Sequence, residues 1–207
     1  MKLIDISWPI SEATTEYKNN DTILFEPIKV FDRDAARDTR ISLGAHVGTH
    51  VDAPSHFLHD GKSIDQISLS KLVGRARVIN CMTVLDSISS DDLERHHIDE
   101  GDIILLRTAN SAYGPTDPFE REFIFLNESG ARYLVSKKVK AVGIDYLGIE
   151  RGNVEHPTHT LLMQADIPII EGLRLGHVQA GMYFFMCLPL NLIGVEAAPA
   201  RAVLLEG

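Results

Sequence analysis

His46, His50 and Asp52 stand in the run HVGTHVDAPSHF, residues 46–57, with His56 four positions beyond the carboxylate. Two imidazoles and a carboxylate packed this closely are the ligand types that a catalytic Zn²⁺ or Mn²⁺ prefers. In a fully extended strand His46 and His50 would lie about 13 Å apart at roughly 3.3 Å per residue. That is too far for one cation, because metal–nitrogen distances are about 2.0 to 2.1 Å. The chain must therefore turn inside the motif, and Gly48 supplies the backbone angles that such a turn needs. Pro54 argues against a continuous helix, since it lacks a donor and pushes Ala53 toward extended angles. The motif is accordingly placed on a bent or looped segment leaving a strand. A histidine-rich surface loop is the plain alternative, and the order His-x-Gly-Thr-His-x-Asp-x-Pro-x-His disfavours it.

A carboxylate has two oxygens and can bridge two cations, whereas an imidazole offers one lone pair, so Asp52 is the natural shared ligand of a two-cation centre. Such a pair, about 3.5 to 4 Å apart, can activate a water and polarise a carbonyl together. His56 is close enough to reach the reacting atoms without being a ligand. With an ordinary pKa of about 6.5 it can take and return a proton at neutral pH, which fits hydrolysis. Further along, HPTH offers His156 and His159, and spacing alone lets either bind; Pro157 restricts His156 to extended angles. Glu171 ends the apolar run of ADIPIIEGL, which reads as a buried strand. A carboxylate there is costly to bury unless it is paired or binds metal. The alternative is a solvent-facing Glu at the strand's exit before Gly172.

The block from His46 to His56 resembles the pattern of the cyclase-like metal-dependent hydrolases, which include bacterial kynurenine formamidases and isatin hydrolases, and it does so without a substitution. The resemblance runs from Asp5-Ile6-Ser7 through Gly143-Ile144-Asp145 to His159 and Glu171, whose 12-residue spacing (171 − 159) agrees with the family's second pair of ligands. It implies that His46, His50 and Asp52 hold one metal, that Asp52, His159 and Glu171 hold a second, and that His56 is the proton donor and acceptor. It also favours His159 over His156, and implies Zn²⁺ or Mn²⁺, a swivelling β/β/α arrangement and a homodimer. The departures lie on the substrate side. Where kynurenine formamidases carry a tryptophan in an early Trp-Pro-Gly-like turn, the nearest match is Tyr17 in TTEYKNND, which becomes the candidate substrate contact. Trp8 is the only tryptophan, but it lies in the opening segment. The segment Gly143-Ile144-Asp145-Tyr146-Leu147-Gly148 lacks the family's serine. The activity expected is hydrolysis of an aryl formamide such as N-formylkynurenine. A relative opening a cyclic amide or lactone, and a non-catalytic metal-binding protein, are the alternatives.

Composition suits such an enzyme. The 207 residues fit one domain spanning 1–207, and 44% hydrophobic content is enough for a sizeable core. With 29 acidic against 20 basic residues the formal charge is −9, which disfavours nucleic acid and anionic membrane surfaces and leaves a small molecule as the partner. No apolar stretch suggests a signal peptide or a membrane span. Cys81 and Cys187 are isolated thiols in apolar surroundings, read as core residues of a cytoplasmic protein.

The elements that must position the site are read as strands over 2–7, 26–34, 39–46, 76–82, 102–108, 141–146, 167–173, 181–190 and 200–207. Residues 89–97 and 127–139 read as helices, and 63–74 as a short helix or irregular turn. Strands and helices mix without strict βαβ alternation, giving an α/β domain with a mixed sheet. Arg107 to Asn110, at the end of a buried strand, are a place where such folds present ligand contacts. His59, His96, His97 and His177 read as turn, helix-end and structural residues.

Overall fold

A computed structural model describes residues 2–20 and 22–206. In chain order the elements are Lys2–Asp5 (β1), Leu24–Lys29 (β2), Asp38–Ser42 (β3), His50–Asp52 (β4), Val73–Asn80 (β5), Ser87–Ile88 (β6), Ser90–Glu94 (α1), Ile103–Arg107 (β7), Phe125–Leu126 (β8), Glu128–Ser136 (α2), Ala141–Ile144 (β9), Pro157–Gln164 (α3), Ile169–Glu171 (β10), Gly181–Pro189 (β11) and Ala197–Glu206 (β12).

The main sheet runs β1-β12-β11-β5-β7-β9-β10-β4, and β4 also pairs with β12. Strands β12, β11, β5, β7, β9, β10 and β4 therefore close into a ring, a barrel-like sheet with no free edge along that circuit. The pairs β5–β7, β7–β9 and β9–β10 are parallel and the rest antiparallel, so the sheet is mixed as the sequence predicts.

Side chains alternate across a strand, and here the alternation divides the core in two. Val51, Ile103, Leu105, Ile170, Phe185 and Leu204 point inward and pack with Ile6 and Leu72. Their neighbours Ile104, Leu106, Val142, Ile144 and Ile169 point outward against Leu93 of α1, Ala131 and Leu134 of α2, and Leu162 and Met163 of α3. The central strands are buried on both faces, which is why they read as unbroken apolar runs. Helix α1 starts on a capping box between Ser89 and Asp92, and Asn127 caps α2 at the Gly130 amide.

Several expected boundaries shift. The strand read over 26–34 ends at Lys29, because Asp34 accepts the Val30 amide at 2.9 Å and folds the following residues into a turn. The first strand stops at Asp5, beyond which Ser7 bridges Leu173, and that over 39–46 stops at Ser42, where its pairing with β2 ends. The strand over 167–173 shrinks to Ile169–Glu171, since Gly172 has φ +67° and breaks the extended run. The 63–74 segment forms two 3₁₀ turns and then enters β5. The expected last strand includes Gly207, which lies outside the described residues. Helix α3 has no counterpart in the sequence reading; its signals are Pro157 at the first helical position and the Leu161-Leu162-Met163 run.

Candidate metal centre and active site

The motif enters the fold through a turn over 45–49 and continues as β4. Gly48 adopts φ +59°, and a Cβ there would strike Ile10 at 2.8 Å, so both the backbone angle and the space require glycine. Gly172 presses against the same turn, since its Cβ would meet the Gly48 carbonyl oxygen at 2.2 Å. Thr49 locks the two segments together by donating to the Gly172 carbonyl at 2.5 Å and accepting the Trp8 amide at 2.7 Å. After Asp52, Pro54 opens the 3₁₀ turn Pro54–His56, which swings His56 back over the motif.

Register completes the cluster. His50 and Asp52 are two apart on β4 and share a face, while Val51 points into the barrel. Antiparallel pairing sets Glu171 of β10 directly opposite His50, so its carboxylate emerges on the same face. His50 Nε2 stands 3.4 Å from Glu171 Oε2 and 3.5 Å from Asp52 Oδ1. His159, on the first turns of α3, brings its Nε2 to 3.5 Å from Glu171 Oε1. His46 Nδ1 lies 2.9 Å from Asp52 Oδ1, off the line a hydrogen bond requires. The His56 ring packs over that of His46 with centroids 4.1 Å apart, and lies 6.1 Å from the ring of His159.

Asp52 and His50 are each 1% exposed, yet both Asp52 oxygens and His50 Nε2 lack a hydrogen-bond partner among the described residues. Burying a carboxylate without partners is strongly unfavourable. The Nδ1–H of His50 donates to the Gly48 carbonyl at 2.9 Å, which leaves Nε2 as the nitrogen available to a cation, aimed at the carboxylates. Imidazole and carboxylate donors converging on unpaired buried atoms fit a divalent cation. Groups within mutual ligand distance include His50, Asp52 and Glu171, and His46, Asp52 and His56.

Electrostatics of the protein without metal follow from this crowding. Burial pushes His50 down, but contact with Glu171 and the charges of Asp52 and Glu171 outweigh it and raise its pKa to about 9. His159 is likewise lowered by burial and carried to about 9 by Glu150 and Glu171. Burial works against Glu171's charge, and the two histidines overcome it, holding the carboxyl well below its usual range. His56 lies below its ordinary value, chiefly because it is buried, and stays neutral at pH 7.

A cavity of about 290 Å³ opens beside the cluster, lined by His46, His56, His159 and Glu171 together with Tyr17, Phe57 and Leu147. Tyr17 rests edge-on against Phe119, with ring centroids 5.0 Å apart. The missing serine at 148 has a steric counterpart: a Cβ there would meet the rings of Tyr17 and Phe123 at 3.1 Å each. The glycine makes room for the tyrosine.

His46, His56, His159, Glu171 and Tyr17 thus line one cavity, with His50 and Asp52 buried in the cluster beside it. His156 does not take the extended angles expected before proline; it caps α3 in the left-handed region, with φ 46° and ψ 53°. The ring of Pro157 excludes the right-handed helical region for its predecessor, and the left-handed one is what turns the chain into the helix. Arg107 to Asn110 do not line this cavity. Thr108 binds the buried Asp145 through its amide and hydroxyl, and Asn110 pairs with Ile124, so this strand end ties loops together. His59 pairs with Asp60 and His97 with Asp99 at the surface, and His177 is exposed. Glu150 is a site residue that motif spacing does not reveal; like Glu171 it ends a mostly apolar stretch, AVGIDYLGIE, which is buried throughout 141–150.

The putative cyclase family model matches residues 4–151. A kynurenine formamidase of Bacillus cytotoxicus is 30% identical over 203 residues, covering 97% of this chain and 96% of its own. Among solved structures, a potential metal-dependent hydrolase with cyclase activity is 42% identical with a TM-score of 0.89, covering 98% of this chain and 96% of that one. An isatin hydrolase bound to the product analogue thioisatinate has a TM-score of 0.87 over 99% of this chain and 92% of its own, but at 22% identity it speaks for the fold alone. With a matching family model and full-length relatives of that kind, the chain belongs to the putative cyclase family and is a hydrolase of that family.

Proposed function

We propose that the chain is a metal-dependent amidohydrolase cleaving a small aryl formamide of the N-formylkynurenine type. In this reading His46, His50, Asp52, His159 and Glu171 hold two divalent cations, Zn²⁺ or Mn²⁺, with Asp52 shared between them. The observation that carries it is the buried, unpartnered Asp52 carboxylate facing histidine nitrogens beside a cavity with an aromatic wall. The kynurenine formamidase relatives supply the substrate class.

A bound divalent cation supplies Lewis acidity, polarising an amide carbonyl and acidifying water. The protein does the rest. His56 is neutral at pH 7, so a ring nitrogen can take a proton during attack and return it to the leaving nitrogen. An aniline-type nitrogen leaves more readily than an alkyl amine and needs only one well-placed acid. The small cavity suits a formyl group at the histidine end, with the aryl ring between Tyr17 and Phe57. Burial and the charges of Glu171 and Glu150 raise the Tyr17 phenol, which therefore keeps its proton and remains a donor to the substrate.

Metal-loaded protein is expected to hydrolyse N-formylkynurenine, to lose that activity on chelation and to regain it with Zn²⁺ or Mn²⁺. If it leaves formylated aryl amines untouched and opens isatin instead, the assignment moves to cyclic amides. Metal bound with no turnover of either would leave a binding protein.

We read the chain as a homodimer of the cytoplasm. The β2–β3 hairpin exposes Leu24, Ile28 and Ile41, and a two-stranded hairpin is marginal unless it packs on something. Cys81 and Cys187 are buried free thiols, in keeping with a reducing compartment. Sedimentation of the purified protein tests the dimer: a monomer at micromolar concentration removes it.

A further inference from the structure

Glu150 is outside the ligand set above, yet it is 4% exposed and its carboxylate is fully engaged. Oε1 accepts the Thr158 amide at 3.1 Å, and Oε2 accepts the His159 amide at 3.3 Å and the His159 Nδ1–H at 2.8 Å. One side chain from the loop before α3 therefore caps the first turn of that helix and clamps an imidazole carried on the same turn. Capping explains the bonds to the two amides, since helix starts leave unpaired N–H groups and favour negative charge. It does not require the bond to the ring.

We propose that Glu150 is a positioning residue for His159, fixing the ring's tautomer and direction so that Nε2 is delivered to the cation centre. The inference rests on the metal-centre reading above. With Nδ1 committed to Glu150, Nε2 is the nitrogen whose lone pair the neutral ring would offer a cation, and it points toward Glu171 Oε1, 3.5 Å away. His50 reaches the same tautomer through the neutral carbonyl of Gly48. A carboxylate behind an imidazole makes the ring a stronger ligand than a carbonyl does. His156 Nδ1 lies 3.8 Å from the same Oε2, outside hydrogen-bond reach, so the clamp selects one of the two histidines of HPTH.

The test is Zn²⁺ affinity of the full chain, measured by competition with a chromophoric chelator, for wild type, Glu150→Gln, His159→Ala and the double variant. Glu150→Gln is expected to weaken binding by about 10- to 100-fold, and to add little in the His159→Ala background, because its effect passes through that ring. Equal loss in both backgrounds, or none in either, would overturn the proposal in favour of capping alone. A wild type that binds no Zn²⁺ sinks the metal-centre reading along with it. Should Glu150→Gln fail to fold, the Zn²⁺-loaded wild type decides. Its His159 Nδ1 proton is expected as a downfield, slowly exchanging resonance, and a rapidly exchanging one overturns the clamp.

Discussion

The six residues of β4 and β10 alternate between two faces that do different work, Ile169 alone adding an apolar side chain to the outer one. On the inner face Val51 and Ile170 are fully buried among apolar side chains. On the outer face His50, Asp52 and Glu171 are almost as deeply buried, among groups that compete for the same protons or lack partners. Burial stabilises the first set at about 25 cal/mol per Å² of apolar surface and works against the second. Depth therefore says little about purpose in this protein. What separates scaffold from site is whether each buried atom has something to bind.

Substitutions on the two faces should part company. Asp52→Ala is expected to lower hydrolysis by about 10³-fold or more, the scale of losing several kcal/mol of cation stabilisation, and to reduce metal content. It should cost the metal-free protein less stability than a core truncation, since the buried carboxylate it removes has no hydrogen-bond partner. Ile170→Ala should do the reverse, costing about 2 to 5 kcal/mol of stability with metal content kept. Elemental analysis and denaturant unfolding of both variants would show it; an Asp52→Ala protein with full metal occupancy ends the distinction.

His56→Ala sharpens the contrast within the outer face. Turnover should fall by about 10²-fold while metal stays near the wild-type level, because His56 moves protons in the proposed reading. Loss of metal together with activity would make it a ligand.

The smallest effect is on pH. His50 and His159 are raised from 6.5 to about 9 in the metal-free protein, so their protonated forms contribute stability that is complete below pH 6.5. That contribution is lost as pH rises through about 9. Metal needs the same lone pairs and binds better as the protons leave. The metal-free unfolding midpoint should thus fall between pH 6.5 and 9 as the increment from added Zn²⁺ grows. Parallel curves for the two forms would mean that these rings do not bind metal.

The sequence by itself determined what is local. The order of donors from His46 to His56, the glycine that turns them, the proline that stops a helix and the apolar runs of β7 and β9 all act within a few residues, where backbone sterics and side-chain period are decisive. Tertiary structure alone decided the rest. The antiparallel register facing Glu171 to His50, the closure of the sheet through β4 and β12, and the fit of Tyr17 to Gly148 join residues far apart in the chain. Spacing left His156 and His159 open at HPTH, and Glu150 with α3 separates them. Such choices depend on which distant carboxylate reaches which ring, and no periodicity within a segment encodes that distance.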